Sequence, residues 1–109
     1  MAPAESTTNG VSSIGSAANI SLPSFILSGE QDGVTPPVEH HIPMYNNLAS
    51  DCKTILHIIG GAHCYFANPN GNCDFGESTS STGISISRQA QPDVAADVAN
   101  LWLDYSLKA

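Results

Sequence analysis

Two short apolar runs in the first sixty residues predict buried β-strands. The first, residues 24–27, lies between a proline and a Ser-Gly pair. The second, residues 54–59, is β-branched and apolar almost throughout and stops at a Gly-Gly pair. Short apolar runs between turn residues are typical of strands buried on both faces, as in a parallel sheet.

Two further segments carry the periodicity of helices. In residues 38–50, Ile42, Tyr45 and Leu48 recur at helical spacing, and either Pro37 or Pro43 could sit in the first turn. The second helix is predicted at residues 92–108, with Lys108 in its last turn, where a cation suits the helix dipole. Its apolar stripe comprises Val94, Val98, Leu101, Trp102 and Tyr105, of which we interpret Trp102 and Tyr105 as core packing.

The other segments are predicted to be loops. Residues 1–21 form a loop-rich lead-in with one helical turn near 16–19, and residues 29–37 are rich in Gly and Pro. A loop runs over 62–73, and residues 74–88 are rich in Ser, Thr and Gly. Within them, the alternating residues 83–87 are either a minor strand or plain loop.

The order strand, helix, strand, helix predicts the α/β class, with a parallel sheet covered by helices. We divide the single domain, residues 1–109, into the lead-in 1–21, the strands 22–66, a loop 67–90 and the terminal helix 91–108. Two strands alone leave open edges and an exposed apolar face, so we expect the fold to be incomplete without a further covering element.

Composition excludes several functions. With a formal charge of −7 over 109 residues, nucleic acid and anionic membrane surfaces are not expected partners. No apolar stretch is long enough to span a membrane, and residues 1–10 lack the pattern of a signal peptide. The compartment is not indicated, although a secreted parent protein is compatible with the sequence. We expect no cofactor.

The cysteines and histidines show no recognisable metal-binding spacing. Cys64 and Cys73 could close a disulfide loop if the protein is exported, or remain two thiols. We interpret Cys52 as a small buried residue, His57 as a strand histidine satisfied in the core, and His40 with His41 as solvated residues at a helix start.

Asp32 and His63 carry the most informative chemistry. Each lies just after one of the two predicted strands, and the carboxyl ends of adjacent parallel strands meet at one edge of a sheet. A carboxylate beside an imidazole is the orienting half of a nucleophilic triad, because it fixes the tautomer and stabilises the imidazolium. The glycines at 60 and 61 suit a tight turn before His63.

The segments PSFILSGEQDGVTPP, PMYNNL and KTILHIIGGAHCYF resemble the last third of an α/β-hydrolase. They are most similar to the cutinase-like, polyester-hydrolase and dienelactone-hydrolase group of esterases. In that group one strand leads to Gly-x-x-Asp and the next to Gly-Gly-x-His, so the resemblance implies that Asp32 is the triad acid and His63 the base. It covers residues 20–66, and the terminal helix agrees with it. Residues 67–90 are not aligned.

The sequence departs from that group because it has no Gly-x-Ser-x-Gly elbow, and the oxyanion-hole segment is absent too. Ser12, Ser13 and Ser16 do not have the spacing of the elbow. Two hypotheses follow. The chain is the C-terminal portion of a serine hydrolase of carboxylic esters, inactive alone and completed by a missing N-terminal segment. Alternatively, it is a non-catalytic, truncated remnant that acts through self-association or partner binding.

Overall fold

A computed structural model describes residues 1–6 and 12–108. Two parallel strands form its sheet, β1 (Ser24–Gly29) and β2 (Lys53–Ile58). The helices are α1 (Ser13–Ala17), α2 (His41–Asn47), α3 (Gly71–Ser80) and α4 (Ala90–Lys108), and a short 3-10 turn spans Cys64–Phe66. The described residues therefore form a mixed α/β structure, as predicted.

Helices cover the two faces of the sheet. On one face, Met44 and Leu48 from the α2 region pack with Ile26 of β1 and Ile55 of β2. On the other face, Ala95 and Val98 of α4 pack with the strand residues Phe25, Leu27, Leu56 and Ile58. Alternate residues of each strand thus point to different helices, which explains why both strands are almost continuously apolar.

The register of the sheet is set so that the two strands end together. Each β1 residue pairs with the β2 residue 29 positions later, from Ser24 with Lys53 to Gly29 with Ile58. The loops that follow the strands consequently leave the sheet side by side. Gln31 N donates to Gly61 O at 2.8 Å, which joins these two loops directly.

Helix α2 is shorter than the predicted 38–50, because the segment before it forms turns. The prediction that His57 is a core residue is wrong, since its side chain is exposed. His57 shares the face of β2 that bears Ile55 and packs with α2, but its own side chain is not covered.

The prediction of a loop over 67–90 is wrong for α3. This helix is rich in Gly and Ser and has little amphipathic character, so periodicity gives no signal for it. Asn70 caps its first turn by accepting hydrogen bonds from the backbone N–H groups of Asn72 and Cys73. Residues 83–87 contain no strand, which leaves the plain-loop alternative.

Helix α4 is confirmed, but only part of its apolar stripe is buried. The Trp102 ring stacks on Phe25 with a centroid separation of 5.5 Å. Tyr105 is 69 % exposed, so the prediction of core packing is wrong for this residue, and Leu101 of the same stripe is 71 % exposed. In the described part of the chain, no helix has the combination of length and apolar character needed to cross a membrane.

Candidate active site

Asp32 and His63 meet at the carboxyl ends of β1 and β2. The imidazole Nδ1 of His63 lies 2.9 Å from the carboxylate Oδ2 of Asp32. The parallel pairing produces this contact, because the two residues follow the last paired positions of their strands by three and five residues. The predicted pair is therefore formed in the structure, and its catalytic role stays a prediction.

The Asp32 carboxylate is buried, and both of its oxygens accept hydrogen bonds. Besides the His63 contact, Oδ1 accepts the backbone N–H of Thr35 at 2.7 Å, and Oδ2 accepts the Thr35 hydroxyl at 2.9 Å. Burial alone would raise the pKa of Asp32, but the hydrogen bonds from His63 and Thr35 outweigh it and lower the pKa. Asp32 is consequently an ionised acceptor at neutral pH.

His63 is held at Nδ1 by Asp32, and its side chain is partly exposed. Its side chain is 24 % exposed, and within residues 1–6 and 12–108 its Nε2 atom has no hydrogen-bond partner. The hydrogen bond to Asp32 raises the pKa of His63, against the effect of burial, and the charges of Asp32 and Glu77 add to the increase. With Nδ1–H bound to Asp32, the neutral imidazole carries a free lone pair on Nε2. This atom could therefore accept a proton from a further group, such as a hydroxyl.

A second histidine supports the pair from the interior. His41 is completely buried, so the prediction that it is solvated is wrong. Its Nδ1 lies 2.6 Å from the Ser28 hydroxyl, and its Nε2 lies 3.0 Å from the Thr35 hydroxyl. Burial lowers the pKa of His41 to about 4, so its imidazole is neutral at pH 7.

One set of protons satisfies this buried network. The Thr35 hydroxyl donates to Asp32 and accepts from Nε2–H of His41, whose Nδ1 then accepts the Ser28 hydroxyl proton. Ser28 is itself completely buried. It therefore serves as a donor to His41 and is not placed to attack a substrate. The neighbouring His40 is half-buried, and its Nδ1 accepts the backbone N–H of Glu5. The prediction that His40 is solvated is therefore wrong as well.

The loop that carries His63 is fixed through its backbone. Gly60 has φ +67°, in the left-handed region that favours glycine, and its carbonyl accepts the backbone N–H of Ser85 at 3.1 Å. Gln91 of α4 pairs with both backbone groups of Ala62, the residue before His63. The predicted tight turn is thus present and is held from two directions.

Helix α3 is attached to the same loop by a disulfide between Cys64 and Cys73. The alternative of two thiols does not hold for these residues, whereas Cys52 is a free, half-buried cysteine. Helix α3 also closes on the Asp32 loop: a Cβ atom on Gly33 would lie 2.0 Å from the carbonyl oxygen of Ser80. Only glycine at position 33 permits this approach.

Thr35, His41, Glu77 and Gln91 were not identified by sequence reasoning. Thr35 follows Asp32 by three positions, the spacing at which an Asp side chain accepts a backbone N–H, and this is a usable local signal. Gln91, Glu77 and His41 reach the site through tertiary contacts that no local pattern encodes. Across the described residues, no group of three or more His, Cys, Asp or Glu side chains is placed to hold a metal ion.

A parallel strand pair with a carboxylate and an imidazole at its carboxyl ends is the arrangement that α/β-hydrolases use for the acid and base of their triad. The family model described as PET hydrolase-like matches residues 7–89, which include Asp32 and His63. The chain therefore belongs to the PET hydrolase-like family, and the resemblance to polyester hydrolases is confirmed. The match also extends through α3, where sequence reasoning found no alignment.

Searches of curated proteins and of solved structures gave no significant match. Family membership indicates a hydrolase-related function for the chain.

Proposed function

We propose that this chain supplies the acid and the base of a serine hydrolase of carboxylic esters. The proposal rests on the 2.9 Å contact between His63 Nδ1 and Asp32 Oδ2, while Nε2 has no hydrogen-bond partner among the described residues. A histidine oriented at Nδ1 by a carboxylate is the usual general base for a serine nucleophile. The serine comes from a polypeptide segment outside these 109 residues.

In the proposed reaction, His63 Nε2 takes the proton of the serine hydroxyl as that oxygen attacks the ester carbonyl. The imidazolium then gives this proton to the departing alcohol, leaving an acyl-serine. Water, deprotonated by the same Nε2, releases the carboxylic acid and restores the serine. Asp32 stabilises the imidazolium in both steps, and we propose lipid esters or polyesters as the substrate class.

The test joins residues 22–108 to the nucleophile-bearing part of an active PET hydrolase-like enzyme in place of its own C-terminal segment. Hydrolysis of a p-nitrophenyl ester is measured, and circular dichroism verifies folding. We expect activity in the joined protein and a loss of at least about 10³-fold in the His63→Ala variant. The Asp32→Asn variant should lose activity as well.

The matched control is His57→Ala, which removes an exposed histidine of β2 and should leave the rate unchanged. Labelling of the serine by a fluorophosphonate gives a second readout that does not depend on ester specificity. Full activity of the His63→Ala variant, or a folded joined protein that neither hydrolyses the ester nor accepts the label, would contradict the proposal.

The exposed apolar residues of α4 favour a second candidate function, in which the chain acts without catalysis through self-association or partner binding. Leu101, Leu103, Tyr105 and Leu107 are between 43 % and 79 % exposed. Leu101 and Tyr105 lie one turn apart on one face of the helix, and Leu103 and Leu107 lie one turn apart on another. Exposed apolar patches are typical of interaction sites. Sedimentation velocity of the 109-residue chain tests this function, which predicts oligomers that dissociate in a Leu101→Glu variant. A monomer at high concentration would contradict self-association.

A further inference from the structure

Glu77 of α3 is a buried carboxylate outside the Asp32–His63 contact. Its residue is only 4 % exposed. Oε1 accepts the backbone N–H of Cys64 at 2.9 Å, and Oε2 accepts the hydroxyl of Ser81. Cys64 follows His63 directly and begins the 3-10 turn. One oxygen of Glu77 therefore holds the backbone immediately after the proposed base.

The second oxygen reaches the loop of the proposed acid through one intermediate. The Ser81 hydroxyl, which donates to Glu77, accepts the backbone N–H of Gly33 at 2.8 Å. Gly33 follows Asp32 directly. A continuous path of hydrogen bonds thus runs from the residue after His63, through the Glu77 carboxylate and Ser81, to the residue after Asp32.

This path does not by itself require a charge. A glutamine at position 77 could accept the Cys64 N–H with its amide oxygen and would avoid the cost of burying a carboxylate. Among the described residues, no lysine or arginine forms an ion pair with Glu77. The Glu77 charge contributes to the raised pKa of His63. Glu77 thus combines a backbone contact next to His63 with a charge that favours the protonated imidazole.

We propose that Glu77 is a positioning residue for His63, fixing the 3-10 turn and the Asp32 loop through hydrogen bonds and stabilising the protonated imidazole through its charge. The catalytic meaning of this role rests on the proposed function, whereas the contacts and the charge effect do not. Helix α3, which is attached to Cys64 by the disulfide as well, becomes a support of the site.

The charged groups that act on His63 are Asp32, in the loop after β1, and Glu77 of α3. The Asp32 hydrogen bond is the largest influence and raises the pKa of His63, and burial opposes it. The charges of Asp32 and Glu77 raise it further. His41 of α2 is neutral above its own pKa of about 4 and so adds no charge at neutral pH.

Titration of the His63 ring by NMR in the disulfide-bonded 109-residue chain tests the charge effect without any need for enzymatic activity. We expect the pKa of His63 to fall in Glu77→Gln. The matched control is Asp74→Asn, which removes a negative charge from the same helix at a residue paired with Arg88 and should leave the His63 titration unchanged. An unchanged His63 pKa in folded Glu77→Gln would overturn the charge effect.

Two further variants keep the test decisive if Glu77→Gln does not fold. Ser81→Ala retains the charge and removes the bridge, so the Gly33 amide should exchange with solvent about tenfold faster while His63 keeps its titration. Glu77→Asp retains the charge on a shorter side chain, so Cys64 should exchange faster while the His63 pKa stays above its ordinary value. Unchanged exchange at both amides would overturn the positioning role.

In the joined hydrolase, Glu77→Gln should lower kcat about tenfold with little change in KM. The rise of kcat with pH should move to lower pH, because the His63 base is deprotonated there. If the joined protein is inactive but the His63 titration still depends on Glu77, the proposed function fails and the Glu77 inference stands. If the joined protein is active and neither the titration nor kcat responds to Glu77→Gln, the Glu77 inference fails alone.

Discussion

Gln91 holds Ala62 by both of its backbone groups. The side-chain Oε1 accepts the Ala62 N–H at 2.8 Å, and Nε2 donates to the Ala62 carbonyl at 2.7 Å. Both residues have 0 % exposure. This is the hydrogen-bonding pattern of a neighbouring strand, supplied by a single side chain of α4 at the position before His63. Helix α4 thereby contributes to the candidate site as well as to the core.

Replacing Gln91 with alanine should therefore destabilise the protein strongly. The substitution leaves a buried N–H and a buried C=O without partners, and we expect a loss of about 2–4 kcal/mol in the free energy of unfolding. Urea unfolding followed by circular dichroism measures it. The control is Gln89→Ala at an exposed position two residues earlier, with an expected change within about 0.5 kcal/mol. Equal stability of the two variants would contradict the role of Gln91.

His41 should make the protein less stable in mild acid. Its pKa is lowered to about 4 in the folded state, so between the ordinary value of 6.5 and 4 the unfolded chain binds a proton that the folded chain does not. Stability therefore falls as the pH drops through this window, by about 3 kcal/mol from this residue. Urea unfolding at pH 6.5 and at pH 4 measures the loss.

The His41→Gln variant separates this effect from those of other acidic and basic groups. We expect it to be less stable than the parent at pH 6.5 and to lose much less stability on acidification. A matched His57→Gln variant, altered at an exposed position, should keep the full acid dependence. If His41→Gln and the parent show the same pH dependence, His41 is not the group that titrates.

Breaking the disulfide should cost stability by loosening α3. The bond closes a loop with a sequence separation of nine residues, for which chain entropy predicts about 2–3 kcal/mol. The double variant Cys64→Ser/Cys73→Ser should unfold at correspondingly lower urea concentration. Dithiothreitol should destabilise the parent and leave the double variant unaffected. Cys52→Ser, which removes the free cysteine, is the control, and an equal loss there would contradict this assignment.

Two glycines should respond to alanine in opposite directions. At Gly60, φ is +67° and an added Cβ would lie 1.9 Å from the Ser85 hydroxyl, so we expect Gly60→Ala to destabilise by about 1–3 kcal/mol. At Gly76, inside α3, a Cβ meets nothing within 4 Å. Gly76→Ala should therefore stabilise by about 0.5–1 kcal/mol. Thermal unfolding compares the parent with the two variants. A change in stability of the same sign in Gly60→Ala and Gly76→Ala would contradict the assigned role of Gly60 in the turn.

The sequence was sufficient to predict both strands and the pairing of Asp32 with His63. The strands are apolar on both faces because α2 and α4 cover opposite sides, so their signal is continuous. The parallel order then places both strand ends together. These features depend on local composition and on one topological rule, and both can be deduced from the chain alone.

The supports of the pair could not be predicted in this way. Helix α3 has weak helical propensity and is held by its Asn70 cap, by the disulfide and by the contacts of Glu77. His41 was predicted to be a surface residue because its hydrogen-bond partners, Ser28 and Thr35, lie 13 and 6 positions earlier in the chain. No local sequence pattern indicates these contacts. Such contacts exist only once the tertiary structure has formed.

The Cys64–Cys73 disulfide makes the folded structure sensitive to the redox potential of its surroundings. Its two cysteines attach α3 to the backbone next to His63, so the oxidised bond is one of the supports of the candidate base. Glutathione and thioredoxin keep most cytosolic thiols reduced. An oxidising environment preserves this bond, and we expect a chain produced in a reducing host to hold the proposed base less firmly.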